Sequence, residues 1–140
     1  MKKQSCEVHP VGEVEVENGR FIIKIDDEYK DAMKELEGFT HIQVLWWFHL
    51  TDSDEFRSYL SAPKPYKNGP EEIGMFATRS PVRPNPIGLT IVPVLGIDQA
   101  KGEIEIAFID AEKSSPVLDI KPYYGIDRVK ELSVPDWCSH

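Results

Sequence analysis

The sequence predicts a mainly β fold: a small closed or nearly closed barrel with one short helix. Three observations carry this. About six short apolar or alternating runs are separated by turn signals at close spacing. Helical periodicity is confined to one segment, residues 26–38. With 140 residues the chain is long enough for one self-sufficient core. A single domain over residues 1–140 is therefore expected, with its core at about 8–123 and a tail at 124–140.

Val14 and Val16 alternate with Glu13, Glu15 and Glu17, and Phe21-Ile22-Ile23-Lys24-Ile25 follows beyond Asn18-Gly19. Asn-Gly accepts the two positive φ angles of a type I′ turn, so the pair reads as a β-hairpin with an acidic outer face. Asp26-Asp27 offers N-caps, Tyr29, Ala32, Met33 and Leu36 share a helical face, and Gly38 stands where a C-cap belongs. That spacing predicts a short amphipathic helix. Residues 40–50, with five consecutive apolar residues from Val44 to Phe48, predict a strand buried on both sides. Residues 52–60 carry no decisive period and fit one or two helical turns.

Three prolines and an Asn-Gly make residues 62–70 a loop. Residues 75–78 predict a short strand that enters a second irregular stretch, 79–86. Strands are expected at 87–95, where Pro93 marks an edge or bulge, at 103–109, and at 117–120.

Composition excludes several classes. A profile of 41% hydrophobic and 29% charged residues belongs to a folded globular chain. No apolar run reaches the length of a membrane-spanning helix, and Met1 to Ser5 is not followed by the apolar stretch of a signal peptide. A cytoplasmic protein without a membrane partner is expected. Cys6 and Cys138 show neither disulfide-scaffold nor zinc-site spacing, so no metal is expected. The net charge of −8 opposes non-specific coating of nucleic acid. Residues 61–97, with four basic and two acidic side chains, form the one basic stretch, and an anionic partner should meet the chain there.

No Gly-rich phosphate loop, nucleophile elbow or HExxH motif is present, so any site must be built from strand ends and loops. The stretch 79–86 holds three prolines around Arg79, Arg83 and Asn85. A stiff backbone bearing planar donors suits a carboxylate or phosphate; a proline-bent surface loop with solvated arginines is the plainer alternative. His49 closes an apolar run and fits a core histidine as well as a catalytic base. Trp46 and Trp47 fit core and interface packing. His9, His41 and His140 carry no pattern. Asp119 and Lys121 lie two apart, on one face of an extended segment, where they make either an exposed ion pair or a proton acceptor beside a cation.

Three blocks resemble one family. GFTHI at 38–42, GMFATRSPVRPNPIGL at 74–89 and PVLDIKPY at 116–123 are similar to the TsaA/TrmO family, whose known activity is S-adenosylmethionine-dependent methylation of N6 of threonylcarbamoyladenosine at tRNA position 37. The resemblance runs from about Val11 to Tyr123. It implies a TsaA-like β-barrel methyltransferase working as a homodimer, with S-adenosylmethionine near the subunit interface and tRNA as substrate. Residue by residue, it puts the cofactor on His49, Leu50, Arg79, Leu89, Ala107, Phe108, Ile109 and Asp110. Apolar contacts for adenine would come from Leu50, Leu89 and Phe108, and a cation for the methionyl carboxylate from Arg79. Arg83, Asn85, Lys113 and Lys121 would face the substrate. Asp119, with Tyr123 second, is the expected proton acceptor.

This chain lacks the Pro-Arg-Gln motif that many members carry between first strand and hairpin, and reads Lys113-Ser114-Ser115 where members have Asp-Gly-Thr. Two alternatives therefore stay open: a methyltransferase acting on a small molecule, and a non-catalytic S-adenosylmethionine- or RNA-binding module.

Overall fold

The computed structural model describes residues 4–138, which form two compact units: residues 4–47 with 88–123, and residues 48–87 with 124–138. The first is the barrel. Strands β1 (Gly12–Glu17), β2 (Arg20–Ile25), β3 (His41–Trp47), β6 (Ile87–Asp98), β7 (Glu103–Ile106) and β8 (Pro116–Pro122) close in the order β1-β2-β7-β6-β3-β8. The second contains β4 (Ser61–Pro63) paired with β5 (Glu72–Gly74), and one four-residue helix, α1 (Asp54–Arg57).

The expected hairpin is present, with Asn18 and Gly19 both at positive φ and β1 registered on β2 from Gly12↔Ile25 to Glu17↔Arg20. Val14, Ile23, Ile104 and Ile106 meet across β1, β2 and β7 and are fully or almost fully buried. On the outer face Arg20 donates to Glu105 at 2.7 Å, and this bond holds the Glu105 carboxyl below its ordinary range. In β3 burial alternates: Ile42, Val44 and Trp46 point into the core, while His41, Gln43, Leu45 and Trp47 are half-buried. The run is thus not buried on both sides, because barrel strands cover one face with core and leave the other to partial cover.

Other differences have local causes. The predicted helix is instead two 3-10 segments, Asp27–Met33 and Leu36–Gly38, separated by Glu35 in the left-handed region at φ 69°. Only Met33 is buried there, so too little apolar surface is covered to support a regular α-helix. The expected loop 62–70 begins inside β4, whose last two residues are Ala62 and Pro63, and Met75–Ala77 is a 3-10 turn rather than a strand. β6 runs on to Asp98, with a register shift between Val94 and Gly96 close to Pro93. β7 ends at Ile106, three residues before the predicted boundary.

Closure depends on Gly12. β8 returns to β1 through the pairs Gly12↔Val117 and Glu13↔Pro116. A Cβ on Gly12 would stand 2.1 Å from the Lys24 carbonyl oxygen, inside the β1–β2 ladder. A Gly12→Ala chain should therefore lose about 1–3 kcal/mol of stability through forced backbone displacement. Denaturant unfolding of the two proteins measures this, and equal midpoints would contradict it.

Candidate functional site

In the barrel unit the chemistry gathers on β8. Its pairing with β3 runs Ile42↔Pro122, Gln43↔Lys121, Val44↔Ile120 and Leu45↔Asp119, then jumps to Trp46↔Val117. Leu118 is the extra residue of a β-bulge. Val117, Ile120 and Pro122 therefore share the inward face with buried Trp46, Val44 and Ile42, and Asp119 and Lys121 share the outward one. Asp119 Oδ2 lies 3.0 Å from Lys121 Nζ, and Oδ1 accepts the Ile120 N–H at 2.9 Å, so the carboxylate is held in one orientation. Asp119 also borders a cavity of about 250 Å³ whose walls include Val11, Met33, Phe39, Ile104 and Ile120. Tyr123 packs its ring 6.3 Å from that of His41. Lys113 is exposed.

Leu89 and Phe108 leave about half their surface in solvent, whereas Ile109 is buried. Ala107 and Asp110 are exposed and lie past the end of β7.

In the other unit the stretch 79–86 is stapled rather than loose. Thr78 Oγ1 accepts the Ser80 N–H and Ser80 Oγ accepts the Val82 N–H. Arg83 donates from Nη1 to the carbonyls of Thr78 and Ser80 at 3.0 and 3.2 Å. Phe48 N–H and Thr51 Oγ1 reach the carbonyls of Pro86 and Pro81. Arg57 is the residue that sequence reasoning misses. Its Nε donates to the Pro84 carbonyl at 2.8 Å, its Nη2 to Asn85 Oδ1 at 2.9 Å, and its Nη1 lies 3.4 Å from Asp52. Nothing in the sequence marks it, because these loop partners are 27 and 28 residues away. Arg79 alone of the loop's two arginines is uncommitted: it is exposed and pairs with none of the other described residues. Leu50 is exposed, and His49 holds a buried Nδ1 with no hydrogen-bond partner among the described residues.

These features define a class: small closed β-barrel proteins whose polar chemistry sits on a bulged strand and on a proline-stiffened, arginine-bearing loop. The family described as tRNA-methyltransferase O N-terminal domain matches residues 3–127, and the chain belongs to it. An S-adenosyl-L-methionine-binding protein of Archaeoglobus fulgidus is 40% identical over 111 residues, covering 79% of this chain and 74% of its own length. The tRNA (adenine(37)-N6)-methyltransferase of Escherichia coli is 34% identical over 114 residues, which is 80% of this chain but 48% of that protein. A crystal structure of TrmO superposes with a TM-score of 0.74 at 26% identity, over 94% of this chain and 64% of its own. The chain thus spans about half the length of the bacterial enzyme.

If Arg57 is the staple of the loop, Arg57→Ala should cost about 1–3 kcal/mol, since it removes a charged donor from two loop acceptors. Thermal melting of parent and variant checks this; an unchanged midpoint would show the prolines alone hold the loop.

Proposed function

We propose that the chain is an S-adenosylmethionine-dependent methyltransferase acting on N6 of a modified adenosine in tRNA, as a homodimer in the cytoplasm. What carries the reading is the family's own loop, held rigid and presenting one uncommitted guanidinium, Arg79. A fixed planar cation is what a methionyl carboxylate needs. His49 Nδ1, buried and unsatisfied, is a polar atom suited to a donor or acceptor on the ligand, and exposed Leu50 offers apolar contact. In the barrel unit Leu89 and Phe108 are the apolar surfaces for a purine, with Ala107, Ile109 and Asp110 in the segment that carries Phe108.

The cofactor, when bound, supplies an electrophilic methyl group. The chain's own work is alignment and removal of one proton. Asp119 is the proposed acceptor of the N6 proton. Its orientation is fixed by Ile120 N–H and Lys121, and it borders a concave, largely apolar cavity. Tyr123 is the second candidate. Asn85 keeps its amide donors for the substrate while its oxygen is held by Arg57, and Arg83 keeps Nε and Nη2. Lys113 and Lys121, both exposed, would meet tRNA phosphates.

A second reading, a binding module without catalysis, is favoured by one observation. The archaeal relative of similar length is named for S-adenosylmethionine binding, while the methyltransferase from Escherichia coli is about twice as long as the matched region. Incubation with labelled S-adenosylmethionine and total tRNA separates the two: transfer of label supports the enzyme, and binding without transfer supports the module. Arg79→Ala should weaken S-adenosylmethionine binding by about 1.5–3 kcal/mol. Unchanged calorimetric affinity in that variant would remove Arg79 from the site.

The homodimer is supported by the outer face of β6. Leu89 and Ile91 stay 55% and 48% exposed while Gly88 and Val92 on either side of them are buried, and Leu95 is exposed as well. A self-complementary apolar patch of this kind suits a C2 interface. The parent should sediment as a dimer at micromolar concentration, and Ile91→Glu with Leu95→Glu should sediment as a monomer. A monomeric parent would contradict the assignment.

A further inference from the structure

Phe76 is the feature of the loop-bearing unit that the proposed chemistry leaves unused. Its ring is 85% exposed, more than that of any other Phe, Tyr or Trp among the described residues. The ring is not carried by a slack segment. Met75–Ala77 is a single 3-10 turn, and Met75 beside the ring is buried. The Met75 N–H donates to the Leu60 carbonyl at 2.9 Å. Thr78 then closes the turn on the Met75 carbonyl twice, through its N–H at 3.1 Å and its hydroxyl at 2.9 Å. One residue is driven in as an anchor, and its neighbour is held out.

Two further observations say what the ring is for. Phe76 lies within residues 61–97, the one basic stretch of an acidic chain; Lys67 is exposed in the same unit, and Lys64 there is paired with Glu71 at 3.4 Å. It also precedes Arg79 by three residues in the stapled loop. An exposed aromatic ring in a basic setting is how proteins hold unpaired bases: the ring stacks on the π-face of the base while nearby cations offset the backbone charge. A ring rigidly linked to the donor's proposed anchor would hold that base close to the methyl group.

We propose that Phe76 is a stacking platform for an unpaired base of the tRNA anticodon loop, positioning the acceptor rather than the donor. The inference rests on the tRNA reading above. The competing occupant is a second copy of the chain, and the test separates them.

Parent, Phe76→Ala, Phe76→Leu and Phe76→Trp are assayed for methyl transfer to tRNA, with S-adenosylmethionine calorimetry and sedimentation on each. The KM for tRNA should rise roughly tenfold or more in the Ala and Leu variants, the loss typical of one base–aromatic stack, and return in Trp. Affinity for S-adenosylmethionine and the sedimentation coefficient should stay at the parental values. A parental KM in Phe76→Ala would overturn the platform and leave the tRNA reading intact. A parent that methylates no tRNA would overturn both. A slower-sedimenting Phe76→Ala restored by Leu would assign the ring to a contact between copies and overturn the proposal.

Discussion

The return of β8 onto β1 is the constraint from which the rest of the barrel unit follows. Two residue pairs make that seam, and one of them runs through Gly12, whose missing side chain lets the chain pass against the Lys24 carbonyl. A six-stranded sheet that failed to close there would expose the edges of both its first and last strands. Closure also packs Val14, Ile104 and Val117, from strands far apart in sequence, into one core. The polar residues of β8 are positioned from its other edge, by the pairing of Lys121 with Gln43 and of Asp119 with Leu45 on β3.

Stiffness in the other unit has a different origin. Prolines restrict the backbone of 79–86, but its shape is set by side chains that return to main-chain groups: Thr78, Ser80 and Arg83 from within, Thr51 and Arg57 from outside. Such a loop has lost most of its conformational freedom before any ligand arrives, so less is given up on binding. Two residues that look alike in sequence therefore differ in function. Arg83 spends one arm of its guanidinium on the loop's own carbonyls, and Arg79 spends none.

Much of this was legible in the chain. The Asn18-Gly19 turn, the inward periodicity of β1 and β7, and the same-face placement of Asp119 and Lys121 are local properties, readable from a few consecutive residues. The family's three blocks named the loop and the strand that carry the polar groups. Illegible were features set by distant partners. Leu118 becomes a bulge only because β3 supplies one residue fewer opposite it, and Arg57 becomes a staple only because the prolines fold back to it. Glu35 breaks the 26–38 segment through a positive φ that its residue type does not announce. The tail shows the same limit. Trp137, in a stretch without pattern, packs its ring at a tilt 5.0 Å from that of Tyr66 in the proline-rich loop.

The bulge at Leu118 also bears on how this strand can vary. Side chains alternate with a period of two, so the extra residue lets an apolar residue on one side and two charged ones on the other each face the right way. Were Leu118 lost, Val117 and Asp119 would become neighbours in regular alternation, and Asp119 and Lys121 would still face outward with Val117 inward. A residue gained or lost elsewhere in the strand would instead set its pairing with β3 at odds with its pairing with β1, because the side chains on one side of the change would exchange faces. The bulge is therefore the place on β8 where the loss of a residue is absorbed without turning charge toward the core.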